Sequence, residues 1–221
     1  DGRLSAARVD AAVIRQLGLK ARLGLHSPQS MPAAEAPNEA ARAYSTEVTR
    51  RAPTLVKDVR GLLPIDPAKH RRVLVVSGGI VFPFTPQPLP FALPDMLKAQ
   101  GFEVTLYDPS IVVRPQDFDL MLYIFGEETL LTRGRIFLDW LGLTGHFGKA
   151  MERFWHDIPT AMISFGYPYL LYDAPRVPTY INAYSTTETM QRAVVDALLG
   201  AIPFAGKNPV DPFCGLEDAR Y

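Results

Sequence analysis

The sequence has one cysteine, Cys214, which excludes an internal disulfide and any zinc site built on two or more cysteines. It also lacks an excess of either charge: 23 Lys and Arg balance 23 Asp and Glu, for a formal net charge of zero and a pI near 7.1. Without a basic face there is no field to gather nucleic acid or anionic lipid, so a neutral partner is expected and nucleic acid is not. Long apolar runs are missing too. Each is broken by glycine, proline or a charge well short of the roughly 20 residues that a membrane-spanning helix needs. The histidines, His26, His70, His146 and His156, include no pair three to five apart, so no metal is expected. No Walker-type lysine loop is present, and Gly78-Gly79 runs into Ile-Val-Phe-Pro-Phe instead of opening a helix. No nucleotide or other cofactor is expected.

What is present is enough apolar material for a sizeable core, 48% of 221 residues. Proline is abundant: there are 20, where about 5% of the chain is usual, which predicts long stiffened loops. The chain begins with Asp1 and no basic-then-apolar leader follows, so it reads as a fragment or a processed product.

Ser5 to Leu23 places Val9, Ala12, Val13, Gln16, Leu17, Lys20 and Leu23 at three- and four-residue spacings, which predicts an amphipathic helix capped by Ser5 and stopped by Gly24. His26 to Pro37 carries Pro28, Pro32 and Pro37 among small and polar residues and reads as a linker. A helix ahead of a linker has nothing of its own to pack on, so its apolar face is expected to meet a partner. Asn38 to Arg51 reads as a second helix, and Thr54 to Lys57 with Leu62 to Pro64 as a short hairpin or paired extended segments.

Val73 to Val76 is a β-branched and aliphatic run ended by Ser77-Gly78-Gly79, the pattern of a strand buried on both faces. Prolines between Pro83 and Pro94 hold off a helix until Met96. Strands over Glu103–Tyr107, Asp119–Phe125, Thr160–Phe165 and Thr179–Ala183 then alternate with helices over about Arg135–Arg153 and Thr187–Leu199. Ser185 and Glu188 have capping-box spacing ahead of the last helix. The series predicts an α/β fold: a three-layer α/β/α sandwich on a mostly parallel sheet.

In such a sheet a ligand sits at the carboxyl ends of the strands, which directs attention to the loops after Val76, Phe125 and Phe165. Ser77 and Ser164 lack the preceding glycine of a strained nucleophile elbow, and Ser77 reads as a residue that satisfies strand-end backbone groups. Cys214 has no histidine near it in sequence and reads as a structural thiol. The remaining catalytic candidates are Glu127 and Glu128. They follow the strand Leu120 to Phe125 directly, where a side chain can project over the sheet end, and adjacent glutamates repel in a way that can raise one pKa toward general-acid use. The alternative is a solvated turn leading to the next helix.

The motifs, taken end to end, resemble the carboxyl-terminal part of glycoside hydrolase family 3 enzymes. Asp1-Gly-Arg-Leu-Ser with Ile14-Arg15 and Leu23-Gly24-Leu25 is similar to the closing helix of that family's (β/α)8 barrel. Ala52-Pro53-Thr54-Leu55-Val56-Lys57-Asp58 and Gly61-Leu62-Leu63-Pro64-Ile65 resemble the segment entering its second domain. Arg72 to Val76 resembles its first sheet strand, Ser164-Phe165-Gly166-Tyr167-Pro168-Tyr169 its strand and Asn-Pro-Tyr turn, and Ala205-Gly206-Lys207-Asn208-Pro209-Val210 its Gly-Lys-Leu-Pro-Val ending. Tyr167 replaces the usual Asn, and Asn208 the usual Leu.

The resemblance implies residues 1–25 as the last helix of a missing barrel, 26–46 as linker and start of an entry helix, and 47–221 as the sandwich domain. It implies that a barrel or partner subunit packs on Ser5 to Leu23. A barrel needs about 250 residues, and in the family the nucleophilic aspartate lies on it, so this chain is expected to be inactive alone and to meet carbohydrate through that barrel. The implied activity is retaining hydrolysis of O-glycosyl bonds, most closely that of the β-N-acetylhexosaminidase branch, where the general acid is a barrel histidine. In the β-glucosidase branch the sandwich supplies a glutamate, and Glu127 or Glu128 would be the candidate. A non-catalytic carbohydrate-binding or interaction module is the alternative of a different class.

Overall fold

The computed structural model describes residues 3–27, 38–129 and 137–221, so all but the first two residues of the linker expected over His26 to Pro37 lie outside the described residues. The chain divides into two units, Asp1–Arg42 and Ala43–Tyr221.

The first unit is built on α1 (Ala6–Arg22). Ser5 Oγ accepts from Arg8 N at 3.2 Å and satisfies one open donor of the first turn. At the other end Gly24, with φ 71°, donates to Ala21 O while Leu25 N donates to Lys20 O, a paired closure that only a left-handed residue permits without strain. No residue of α1 is buried, and Val9, Val13 and Leu17 are exposed. The next helix, α2 (Glu39–Arg51), starts where expected, with Asn38 Oδ1 accepting from Ala41 N at 2.8 Å.

The second unit carries a six-stranded sheet of β1 (Thr54–Asp58), β2 (Arg72–Val81), β3 (Glu103–Leu106), β4 (Leu120–Glu127), β5 (Thr160–Ser164) and β6 (Thr179–Asn182), in the order β1-β6-β5-β4-β2-β3. All neighbours are parallel except β1, which runs antiparallel to β6. The unbroken apolar runs form the central strands because successive side chains point to opposite faces and both faces are covered. Val73, Val75, Leu122, Ile124 and Ile163 bury one face with α3 (Leu93–Ala99) and α6 (Glu188–Leu198). Leu74, Val76, Met121, Tyr123, Met162 and Tyr180 bury the other with Trp155, Leu170 and residues of α4 (Trp140–Thr144). The α/β sandwich is therefore the one expected.

Several local expectations are corrected. Leu62 to Pro64 does not pair with β1; Asp58 instead folds that segment back by accepting from Leu62 N at 2.9 Å and Leu63 N at 3.1 Å, and β1 pairs with β6. Strand β2 does not stop at Ser77-Gly78-Gly79. It passes through a bulge in which Gly79 has φ 70°, and goes on to Val81. Helix α3 starts at Leu93 because Pro94 falls in its first turn, where no intrahelical donor is lost. The single helix expected over Arg135 to Arg153 starts outside the described residues and is, from there on, α4 and then α5 (Phe147–Met151), separated at Gly145 with φ 70°. The cap of α6 is Thr187, whose side chain accepts from Met190 N, and not Ser185.

Candidate functional site at the carboxyl end of the sheet

From β2 the chain crosses to β3 on one side and later to β4 on the other, so the crevice above β2 and β4 is the topological switch point of the sheet. A cleft of about 230 Å³ opens there, lined by Ser77, Gly78, Phe125, Glu127, Asp139 and Tyr167 among others.

Close backbone packing shapes its floor. A β-carbon on Gly78 would lie 2.8 Å from the Phe125 ring, and one on Gly166 only 1.8 Å from the Glu127 carbonyl oxygen. That carbonyl also accepts from Tyr167 N at 3.1 Å, and Phe125 O accepts from Phe165 N at 2.7 Å, so the turn after β5 is stitched to the end of β4.

Most polar groups of the cleft are already used in holding it. Ser77 Oγ accepts from Gly79 N at 3.0 Å across the bulge, the backbone role expected of it. Ser164 Oγ donates to Tyr167 O at 2.8 Å, and Asp139 Oδ1 caps α4 by accepting from Gly142 N at 2.9 Å. Among the described residues that line the cleft there is no histidine to take a proton from either serine.

Glu127 and Glu128 have different settings. Strand β4 reaches two residues beyond its expected end, so Glu127 belongs to the strand instead of following it, is half-buried and lines the cleft. Glu128 is exposed, and its Oε1 accepts from Thr186 Oγ1 at 2.7 Å and from Thr186 N, which ties the end of β4 to the entry of α6.

The other candidates lie elsewhere. Cys214, with φ 55°, sits in a turn where Asp211 accepts from Phe213 N at 3.1 Å and Gly215 N at 2.9 Å; burial pushes its thiol pKa up, against thiolate chemistry. His146 caps α5 through Nδ1, which accepts from Gly148 N at 3.0 Å. Among the described residues no three His, Cys, Asp or Glu side chains converge to hold a metal ion, and no helix is long and apolar enough to cross a membrane. Asp139 escaped the sequence reading because it fell inside the one long helix expected there; its signal was the Asp-x-x-Gly spacing of a capped turn.

No protein-family model matches the chain. The whole chain aligns at 34% identity over 246 positions with a β-N-acetylglucosaminidase/β-glucosidase of Cellulomonas fimi, of which it spans 42%. A solved β-glucoside phosphorylase, BglX, superposes with TM-score 0.81 and 32% identity over 98% of this chain and 40% of its own. A glycoside hydrolase family 3 β-N-acetylglucosaminidase from Paenibacillus sp. str. FPU-7 shares the fold, with TM-score 0.60 and 19% identity over 93% of this chain and 40% of its own. The chain thus spans about two fifths of each of these three proteins.

Proposed function

We propose that the chain is an α/β domain of the glycoside hydrolase family 3 type, corresponding to the carboxyl-terminal part of those enzymes, and that it serves a β-glycosidase acting on N-acetylglucosaminides. In this reading the domain shapes or covers an active site whose nucleophile lies on a barrel. The observation that carries it is the end-to-end match with a β-N-acetylglucosaminidase/β-glucosidase of which the chain spans 42%. Two features support the division of labour. The serines of the switch-point cleft and Glu128 are bonded within the domain, and the apolar stripe of α1 is uncovered, as a surface for a barrel would be. We further propose residues 1–25 as the barrel's closing helix and 26–46 as the passage into the sandwich.

The test is complementation. The 221-residue chain should not turn over a chromogenic β-N-acetylglucosaminide or β-glucoside, and a fusion to the amino-terminal portion of the Cellulomonas fimi relative should. Turnover by the chain alone would overturn the proposal.

A second reading has an observation of its own, the 32% identity and TM-score of 0.81 to a β-glucoside phosphorylase. There the acceptor of the glycosyl group is phosphate instead of water. The same fusion assayed with and without inorganic phosphate separates the two: free sugar at an unchanged rate supports hydrolysis, and phosphate-dependent release of a sugar 1-phosphate supports phosphorolysis.

A further inference from the structure

At the opposite end of the sheet from the switch point, before the first residues of β5 and β6, lies a larger cavity of about 650 Å³. Its volume falls in the range of about 300–1,000 Å³ typical of small-molecule sites. The chain builds it by turning back sharply after β1, where Asp58 gathers the amides of Leu62 and Leu63 and also accepts from Thr179 Oγ1 at 2.8 Å. Leu62, Leu63, Pro64 and Pro159 line it as an apolar floor.

Cationic and donor groups stand around this floor. Arg60 Nη1 donates to Trp155 O at 2.9 Å, which fixes the guanidinium. Arg71, Arg72 and Arg176 each meet a carboxylate within 4 Å, but Arg60 has no such partner among the described residues, and neither has Lys69. His70 is half-buried and accepts from Asp66 N at 3.1 Å through Nδ1, so in its neutral form the proton is on Nε2. Burial holds its pKa below the ordinary value, which favours that form at neutral pH. His156 adds a second imidazole to the rim. Asp66 and Asp157 also line the cavity without forming an ion pair with Arg60 or Lys69; Asp66 Oδ1 is bonded to Ala68 N at 2.8 Å.

We propose that this cavity is a binding site for a small organic anion, an apolar body carrying one carboxylate. The apolar body covers Leu62, Leu63 and Pro64, and the carboxylate is received by Arg60, with Lys69 and His70 as further donors. A guanidinium held by one carbonyl bond keeps other N–H groups for a planar anion, and a fixed one loses little freedom on binding. The site is separate from the switch-point cleft, so it holds whether the domain serves a hydrolase or a phosphorylase.

The test uses the 221-residue chain with phenylacetate as the probe, 2-phenylethanol as its neutral counterpart and phenethylamine as the cationic one, followed by amide chemical shifts and calorimetry. Phenylacetate should shift resonances of Leu62, Leu63, His70 and Ile158 saturably, with affinity at least about tenfold above either counterpart. Arg60→Gln should remove most of that preference. Because Arg60 also braces the Trp155 carbonyl, Lys69→Gln, at an exposed residue whose side chain makes no hydrogen bond or ion pair among the described residues, provides the second variant and should weaken binding severalfold without lowering the melting temperature. Equal affinity for phenylacetate and 2-phenylethanol, shifts confined to other regions, or undiminished binding in a folded Lys69→Gln, Arg60→Gln double variant would each overturn the proposal.

Discussion

Gly166 lies so close to Glu127 that a β-carbon at position 166 would stand 1.8 Å from the Glu127 carbonyl oxygen and 2.4 Å from its carbonyl carbon. Both obstructing atoms are backbone, held in the sheet, so no rotamer change makes room. Gly166→Ala must therefore break the Tyr167 N to Glu127 O bond or move the end of β4. We predict a loss of at least about 2 kcal/mol, seen as a lower urea midpoint at unchanged slope. An alanine variant as stable as the parent would show that the strand end gives way freely and that the cleft is not fixed by this contact.

Glu127 and Glu128 yield opposite expectations. Glu128 receives two bonds from Thr186 at an exposed position, so Glu128→Ala, which removes the acceptor, should cost about 1 kcal/mol. Turnover by the fusion enzyme should be unaffected. Glu127→Gln changes the charge of the cleft with little change of volume and, if the acid belongs to the barrel, should lower kcat by no more than a few fold. A fall of about a hundredfold or more in Glu127→Gln alone would place the general acid in this domain and favour the β-glucosidase branch.

The architecture was legible because three of the central strands are written as runs that can be buried on both faces. Val73 to Val76, Leu120 to Phe125 and Thr160 to Ser164 are apolar or small without a break, and their positions followed. Segment ends were less legible, since tertiary partners decide them. Glycine at 78 and 79 signals an end in isolation; next to the Phe125 ring and Pro88 it permits a bulge, and the strand goes on. The same holds for Asp58, whose carboxylate draws Leu62 and Leu63 into a turn where extended pairing was expected. Of the site, the switch-point location could be read in advance. The separate environments of Glu127 and Glu128 could not, because one depends on Gly166 and the other on Thr186, both distant in sequence.

Lys57 gives a pH dependence with an unusual sign. It is a buried lysine in β1 whose Nζ donates to Ala219 O at 2.6 Å and Pro175 O at 2.8 Å. Burial lowers its pKa from 10.5 to about 8, with Arg176 adding to the effect and Asp218 opposing it. Between those two values the unfolded chain binds the proton and the folded one releases it, so this residue makes folding more favourable as pH rises through that window and less so as pH falls back to about 8. Comparing urea midpoints near neutral pH and near pH 10 in parent and Lys57→Met isolates the contribution. The parent should gain relative to the variant on going alkaline, and an equal pH response in both would refute the assignment.

The tail that follows α6 is held by a polar clasp in which Asn208 is the hub. Its Oδ1 accepts from Asn182 Nδ2 at 3.0 Å and lies 3.0 Å from the Tyr184 hydroxyl, while the neighbouring Gly206 passes so near β1 that a β-carbon would stand 2.1 Å from Ala52 O. Leucine is the residue that the resemblance to family 3 implies at position 208, where this chain has Asn208. Leucine should be harmful here, because Asn182 is fully buried and would keep its amide protons without their acceptor. Asn208→Leu is predicted to cost about 1–3 kcal/mol, more than Tyr184→Phe, which removes one hydroxyl from the same cluster. Thermal melts of the two variants measure the difference. A leucine variant that melted at or above the parent would mean that apolar contact outweighs the lost bonds and that the clasp is incidental to how the tail is held.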